Sequence, residues 1–196
     1  MNITLPLTRF VNSYHFVNSA FDYALIAAIR ADGGAQSYTT NVQAYMTEWT
    51  LKLDHNAEPF DKFFSFLNSA IGTSLDLQID GRSDFDADQR EYRYQIINVW
   101  GAIYKPGDHT CIHKHLGSPV GMGGLSFVYY AQADDSNTAP LEFPTIEHSI
   151  TPVTGQLILF PGWLTHCVPE YQPADGRERI VLAGNIAVGW KTAKDD

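Results

Sequence analysis

From residue 75 onward the chain is a succession of short β-rich runs separated by turn residues, and this feature limits its fold most. Asp80-Gly81 and Pro106-Gly107 are two of the turn signals. Strands are predicted at 75–79, 92–104, 109–115, 125–131, 141–143, 150–153, 157–160, 166–169 and 179–188. Many short strands at such spacing predict a mainly β fold, a double-stranded β-helix (jelly roll, cupin-like).

Two amphipathic helices are predicted before these strands. The first covers Phe21–Arg30 and ends at Gly33-Gly34, and the second begins near Pro59 and ends near Gly72. Apolar residues at helical spacing are Phe21, Leu25, Ala28 and Ile29 in the first helix, and Phe60, Phe63, Phe64 and Leu67 in the second. We expect both helices to pack outside the jelly roll, and residues 1–18 and 35–53 to be extended.

Length and charge limit the classes of function. We expect a single domain, 1–196, with N-terminal helical and strand support over 1–90 and the jelly-roll core over 91–190. The net charge of −9 argues against nucleic acid and anionic membrane as partners, because both are negatively charged. No export signal and no apolar run long enough to cross a bilayer is evident, which predicts a cytoplasmic protein. Neither the substrate nor the oligomeric state can be predicted.

The residues that suggest chemistry are histidines. In Tyr104-Lys-Pro-Gly-Asp-His-Thr-Cys-Ile-His-Lys-His115, strand alternation places His113 and His115 on one face, with Cys111 and His109 further back on it. His166, at the end of a predicted strand and turn, offers a third ligand. Three neutral imidazole nitrogens that leave coordination positions open are typical of a catalytic metal site.

The order of four motifs resembles the Fe(II)- and 2-oxoglutarate-dependent oxygenases, and within them a small phage and bacterial group. The motifs are Tyr104-Lys-Pro-Gly107 followed by His113, Ser126-Phe-Val-Tyr-Tyr130, Gly155-Gln-Leu-Ile-Leu-Phe-Pro161 through His166, and Arg179-Ile-Val-Leu-Ala-Gly-Asn185. The resemblance extends from about Tyr94 to Asn185. It implies a dioxygenase in which Fe(II) is held by His113, His115 and His166.

The same resemblance implies that 2-oxoglutarate is the cosubstrate and that Arg179 grips its far carboxylate through a bidentate fork. Tyr130 would add a hydroxyl, although ordinary aromatic packing remains open for Tyr130 and a salt bridge to an acid remains open for Arg179. Asn185 shares the face of Arg179 and is a candidate supporting group. The segments 117–124 and 132–140 follow the ligand strands and are candidates for a lid or substrate wall.

The chain departs from the wider superfamily at one ligand. Most such oxygenases use His-X-Asp or His-X-Glu, whereas this chain has His115 in place of the acid. Asp108 or Glu142 offers a carboxylate, but neither stands at the matching position. Two alternatives therefore stay open: a cupin-like three-histidine metalloenzyme that does not use 2-oxoglutarate, and a non-catalytic jelly-roll protein that is a binding or virion-associated module.

The two cysteines raise the alternative of a zinc site. Cys111 and Cys167 lie near the histidines in sequence, so a Cys2His2 zinc site is an alternative, but their spacing does not match the usual zinc patterns. Adjacent strand residues point to opposite faces, so Cys167 and His166 are poorly placed to share one ion. A disulfide between the cysteines cannot be read from the sequence.

Overall fold

A computed structural model describes residues 11–32, 40–79, 92–115, 124–133 and 139–190. The helices are α1 (Ser19–Ala31) and α2 (Phe60–Ile79), and a short 3-10 turn covers Pro144–Ile146. The strands are β1 (Asn12–His15), β2 (Val42–Gln43), β3 (Tyr45–Met46), β4 (Tyr92–Tyr104), β5 (His109–His113), β6 (Leu125–Gln132), β7 (Leu141–Phe143), β8 (His148–Ile150), β9 (Gln156–Pro161), β10 (His166–Val168) and β11 (Arg179–Trp190).

The strands form two antiparallel sheets. One has six strands in the order β1-β9-β6-β11-β4-β3, and the other has five in the order β2-β5-β10-β7-β8. Non-consecutive strands neighbour each other in both sheets, as a jelly roll requires, and residues of both sheets share one buried cluster. The predicted mainly β class is therefore confirmed.

The six-stranded sheet separates two apolar clusters because successive side chains alternate faces. Phe127, Tyr129 and Leu182 face the helices, where they join Phe21 and Phe63. The opposite side chains of the same strands face the five-stranded sheet. This second cluster contains Trp100, Ala102, Tyr130, Ile158, Phe160 and Val181.

Both helices contact the sheet through aromatic and branched side chains. Phe21 of α1 and Phe63 of α2 stack at a centroid distance of 4.3 Å, and both contact the Tyr129 ring. A Cβ added at Gly101 would lie 2.4 Å from Ile29, so glycine is what lets α1 approach β4 this closely. In the described part of the chain no helix is long and apolar enough to span a membrane.

Two sequence predictions differ from the structure. The segment 75–79 is not a strand, because α2 continues through it to Ile79. The buried residues Leu67, Ile71 and Leu75 recur every four residues, a helical period that passes through Gly72. In the described part of the segment predicted to be extended, 40–53, the short strands β2 and β3 form. The predictions for 1–10, 33–39, including the helix end at Gly33-Gly34, 80–91, 117–123, 134–138 and 191–196 lie outside the described residues.

Candidate metal centre and cavity

Three histidines converge between the sheets: His113 at the end of β5, His115 just after it, and His166 at the start of the neighbouring strand β10. The ring centroids of His113 and His166 are 4.2 Å apart, and those of His115 lie 5.1 Å from His113 and 5.4 Å from His166. One candidate ligand atom from each ring lies within 4.8 Å of the others. Small ring rotations would bring all three nitrogens onto one ion, so this group could hold a metal.

A β-bulge in β5 aims His113 at the group. Strand β10 pairs His166 with His113 and Val168 with Thr110, so two residues of β5 stand opposite one residue of β10. Thr110 is consequently buried, whereas Cys111 is exposed. The prediction that Cys111 shares the face of His113 is therefore wrong, because it assumed unbroken alternation along the strand.

Backbone carbonyls orient two of the rings. His113 Nδ1 lies 2.8 Å from the Cys111 carbonyl oxygen, and His166 Nδ1 lies 2.8 Å from the Leu164 carbonyl oxygen. A carbonyl only accepts, so each Nδ1 carries the proton and each Nε2 keeps a free lone pair. This tautomer is the one that binds a metal through Nε2.

The third ring is positioned through its backbone. His115 follows the last residue of β5 by two positions, and its N–H donates to the Gly162 carbonyl at 2.7 Å. The Gly162 N–H donates in turn to the Gly124 carbonyl at 2.9 Å. These bonds tie His115 to the turn between β9 and β10, which also leads to His166.

The electrostatic environment keeps the three rings neutral. Burial lowers the pKa of His166 to about 3, and the neighbouring His113 adds to the effect. Burial, again with His113, lowers the pKa of His115 to about 4. Burial also lowers the pKa of His113, although the Cys111 carbonyl opposes this. Neutral imidazole is the form that ligates metal, so the group is ready to bind at neutral pH.

The other candidate ligands do not join the group. Among the described residues it contains neither cysteine nor carboxylate. Cys167 pairs with Glu142 on β7, and its thiol donates weakly to that carboxylate at 3.6 Å. A carboxylate oxygen of Asp108 accepts from the Lys105 N–H at 2.8 Å. The Cys2His2 zinc alternative is therefore wrong, and both cysteines are free. The histidines outside the group are His15, His55, His109 and His148.

A cavity of about 70 Å³ runs between the sheets, with the histidines and Arg179 among its lining residues. Arg179 is 1% exposed, and its Nη1 donates to the Ala139 carbonyl oxygen at 2.5 Å. Its guanidinium carbon lies 4.4 Å from the centroid of the Tyr171 ring. By contrast, Arg177 pairs with Asp175 at 3.3 Å in an exposed position. A buried cation thus faces the cavity.

Two tyrosines stand near this cation. Tyr130 is 2% exposed and lines the cavity, and no described residue hydrogen-bonds its hydroxyl. Burial raises the pKa of Tyr130, and the Arg179 charge opposes this. Burial likewise raises the pKa of Tyr104, whose hydroxyl lies 2.7 Å from the Thr110 hydroxyl. Both phenols therefore stay protonated at neutral pH, and Tyr130 keeps a donor for a bound molecule.

Three polar residues on neighbouring strands, Ser126, Asn185 and Asn98, form a row across the six-stranded sheet near the histidines; we call this row the polar rung. Ser126 is opposite both Phe160 and Asn185, and Asn185 is opposite Asn98. The Phe160 ring lies 4.7 Å from the His166 ring, which places this rung at the metal-facing end of the cavity. From the sequence, Asn185 was predicted only to share a face with Arg179, and neither Ser126 nor Asn98 was given a role.

Comparisons with solved structures identify the fold. A viral collagen prolyl hydroxylase from Paramecium bursaria Chlorella virus-1, in complex with 2OG, matches with a TM-score of 0.63 at 18% identity, covering 90% of this chain and 95% of that one. A Pseudomonas putida prolyl-4-hydroxylase matches with a TM-score of 0.60 at 20% identity over 90% and 91%. A 2OG-Fe(II) oxygenase family protein from Burkholderia pseudomallei gives 0.53 at 15% over 90% and 85%.

These neighbours define the fold as that of the 2OG-Fe(II) oxygenases, as the sequence motifs predicted. Neither a protein-family model nor a curated protein matches the chain. The chain therefore shares its fold with these proteins, and its described residues include a three-histidine group that could hold a metal ion.

Proposed function

We propose that the protein is a non-haem iron oxygenase that uses 2-oxoglutarate to hydroxylate an organic substrate. One observation carries the proposal: three neutral histidines and a buried arginine line the same cavity, within the fold of the 2OG-Fe(II) oxygenases. Ion and cosubstrate would then bind side by side. The jelly roll supplies the walls that exclude water from them.

The residues present fit Fe(II). His113, His115 and His166 offer three nitrogen ligands from one side, which leaves positions for a chelating cosubstrate and dioxygen. When bound, iron supplies the oxidative chemistry, and the protein supplies binding and orientation. With His115 in place of an acid, the ligand set is neutral, so the ion would keep its full positive charge and hold anionic ligands more tightly.

Arg179 and Tyr130 would bind the far carboxylate of 2-oxoglutarate. Supporting this role are the burial of Arg179, its position on the cavity wall, and the protonated, unbonded hydroxyl of Tyr130. A carboxylate between them would receive charge-assisted hydrogen bonds from both side chains. The cavity would thereby orient 2-oxoglutarate with its keto acid end toward the histidines.

The testing experiment is anaerobic titration of the protein with Fe(II) and then 2-oxoglutarate. We expect a weak visible charge-transfer band from the chelate, and succinate after oxygen is admitted. If iron binds without the band and without succinate, the cupin-like metalloenzyme is favoured. If iron itself binds only weakly, the non-catalytic jelly-roll module is favoured.

A variant tests the unusual ligand directly. His115→Asp restores the acid found in most relatives of this fold. A higher succinate yield in the variant would indicate that the histidine at position 115 has reduced the turnover of 2-oxoglutarate. A lower yield would indicate that the neutral ligand set is the working form of this site. His109→Asp is the matched control, because His109 lies outside the group.

The substrate proposal is a peptidyl proline. It is supported by two neighbours described as a collagen prolyl hydroxylase and a prolyl-4-hydroxylase. The first probe is a synthetic Pro-Pro-Gly repeat peptide, with mass spectrometry to detect a gain of one oxygen. An unmodified peptide, together with succinate formed in its absence, would retain the oxygenase and reject this substrate.

A further inference from the structure

The two cysteines lie on the outer face of the five-stranded sheet, behind two of the candidate metal ligands. Cys111 is exposed, and so is its neighbour Ile112 at 63%. Cys167 is half-buried and follows His166, which lines the cavity, so alternation along β10 directs the Cys167 side chain to the outer face. The function proposed above uses neither thiol.

The bulge in β5 sets the two cysteines opposite each other. Two residues of β5, Cys111 and Ile112, form the bulge, and the paired stretch of β10 has only Cys167 at that point, so Cys167 faces both. Facing residues of an antiparallel pair have Cα atoms about 4.5–5.5 Å apart. A disulfide needs a Cα separation of about 4.4–6.8 Å. The sheet register therefore holds the two backbones at a separation that a disulfide can bridge.

The thiol of Cys167 has a neighbour on each side. On one side Glu142 of β7 is its strand partner, and the thiol donates to that carboxylate at 3.6 Å. On the other side is Cys111, whose thiol is free and accessible to solvent. Rotation of Cys167 about its Cα–Cβ bond moves the sulfur from Glu142 toward Cys111. This rotation breaks a weak hydrogen bond and leaves the backbone in place, so it is inexpensive.

Cys111 is connected to the metal site through its backbone. Its carbonyl oxygen accepts from His113 Nδ1 at 2.8 Å, the bond that orients this ring, and its N–H donates to the Asn41 carbonyl at 2.8 Å. Because disulfide geometry is narrow, a bond to Cys167 draws Cys111 toward β10 and turns its carbonyl. Loss of the partner that orients a metal-binding histidine typically lowers metal affinity by about 10- to 100-fold.

We propose that Cys111 and Cys167 are a redox modification site: hydrogen peroxide joins them in a disulfide, which turns the Cys111 carbonyl away from His113 and weakens metal binding. The site goes beyond the proposed function, because the bond between the cysteines depends on the sheet register and not on any cosubstrate. Its effect on the ion requires only that the three histidines hold a metal.

The oxidation takes place in two steps. The sulfur of the exposed Cys111 attacks one oxygen of the peroxide, the O–O bond breaks, and Cys111 becomes a sulfenic acid while one water is released. The sulfur of Cys167 then displaces the sulfenic hydroxyl group, which leaves with the thiol proton as a second water. The two thiols together lose two electrons, and one peroxide is reduced to two waters. A dithiol reductant reverses the modification by exchange.

Mass spectrometry of the metal-free protein tests the bond. Peroxide is added and then removed by gel filtration. We expect the chain to lose the mass of two hydrogens, a peptide map without reductant to link the Cys111 and Cys167 peptides, and dithiothreitol to reverse both changes. Cys111→Ser and Cys167→Ser are the matched variants, and neither should lose the two hydrogens. A wild-type chain that gains oxygen without this link, or that is linked to a second chain, would overturn the inference.

Calorimetric titration with Co(II) tests the effect on the metal site. We expect the disulfide form to bind Co(II) about tenfold or more weakly than the reduced form, and dithiothreitol to restore the affinity. Both serine variants should bind Co(II) as the reduced wild type does, before and after peroxide, which shows that oxidation elsewhere is not the cause. Equal Co(II) affinities in the disulfide and reduced forms would overturn the link to His113.

The outcomes also separate this inference from the proposed function. If Co(II) binds and the cysteines do not link, the metal site stands and this inference alone fails. If the cysteines link and the reduced protein binds no Co(II), the metal site and the proposed function fail together with the effect on the ion, and the disulfide stands. If neither occurs, both proposals fail.

Discussion

The two faces of the six-stranded sheet have opposite characters although the same strands build them. On β11, Ile180 and Leu182 face the helices, whereas Arg179, Val181 and Ala183 line the cavity. The helix face consists mainly of apolar and aromatic side chains that stabilise the fold. The cavity face keeps a buried cation, a free phenol and a polar rung. We infer that the first face supports stability and the second supports ligand binding.

The largest expected effect tests the helix face. Phe63→Ala removes a fully buried ring that stacks on Phe21, so the free energy of unfolding should fall by about 3–5 kcal/mol. Urea denaturation measures it, with the exposed Tyr23→Ala as control. Metal affinity should remain unchanged while the variant is folded. A loss of metal affinity in the folded variant would show that the two faces are not independent.

The next effect tests the cavity face. Arg179→Gln removes the charge proposed to hold the far carboxylate, and 2-oxoglutarate affinity should fall by about 10- to 100-fold. Arg177→Gln is the matched control, because its pair with Asp175 is exposed. Fe(II) affinity, measured in the same titration, should not change. Equal effects from the two arginines would contradict the assignment of Arg179.

Adjacent tyrosines sharpen the comparison. Tyr130→Phe should weaken 2-oxoglutarate by about 3- to 10-fold, the worth of one hydrogen bond, with stability nearly unchanged. Tyr129→Phe should do the opposite, because its hydroxyl donates to Asp22 at 2.6 Å on the helix face. Calorimetry measures the 2-oxoglutarate affinity of both variants, and urea denaturation measures their stability. If the two variants showed the same changes in affinity and in stability, the proposed difference between the two faces of the sheet would be contradicted.

A smaller effect concerns pH. In the metal-free protein, burial holds the pKa of His115 at about 4 and of His166 at about 3, below the usual value near 6.5. As pH falls below 6.5 the unfolded chain takes up protons that the folded chain refuses. The contribution of these neutral rings to the free energy of unfolding is therefore fully present above pH 6.5. It is lost as the pH falls toward 4 and 3, where the folded protein also takes up the protons.

The urea midpoint of metal-free protein at pH 7.5 and at pH 5 checks this expectation. The midpoint should fall at the lower pH, and His166→Asn should reduce the fall. The exposed His15→Gln should leave it intact. A midpoint that rises toward pH 5, or a fall unaffected by His166→Asn, would contradict the assigned cause.

Much of the fold was predictable because strand and turn signals are local. The strands β4, β7 and β11 lie where alternation and turn residues predict them. The extension of α2 through 75–79 was missed because five apolar-rich residues beside Gly72 fit a strand as well as a helix. Tertiary packing against the sheet decided between them.

The sequence was sufficient to predict which residues form the site, but not how they are arranged. Motif order selected His113, His115 and His166, and the structure brings all three together. The bulge that separates Cys111 from His113 depends on pairing with β10, a strand more than fifty residues away. Likewise, Ser126 and Asn98 are linked to Asn185 only by sheet register. Such long-range pairing leaves no signal in a single sequence.

The most direct test of the account is equilibrium dialysis of the protein against Fe(II) without oxygen. We expect one tightly bound ion per chain, lost or greatly weakened in each of His113→Ala, His115→Ala and His166→Ala, while His109→Ala binds as the wild type does. Wild-type binding in any one of the three ligand variants would contradict the claim that these histidines share one ion.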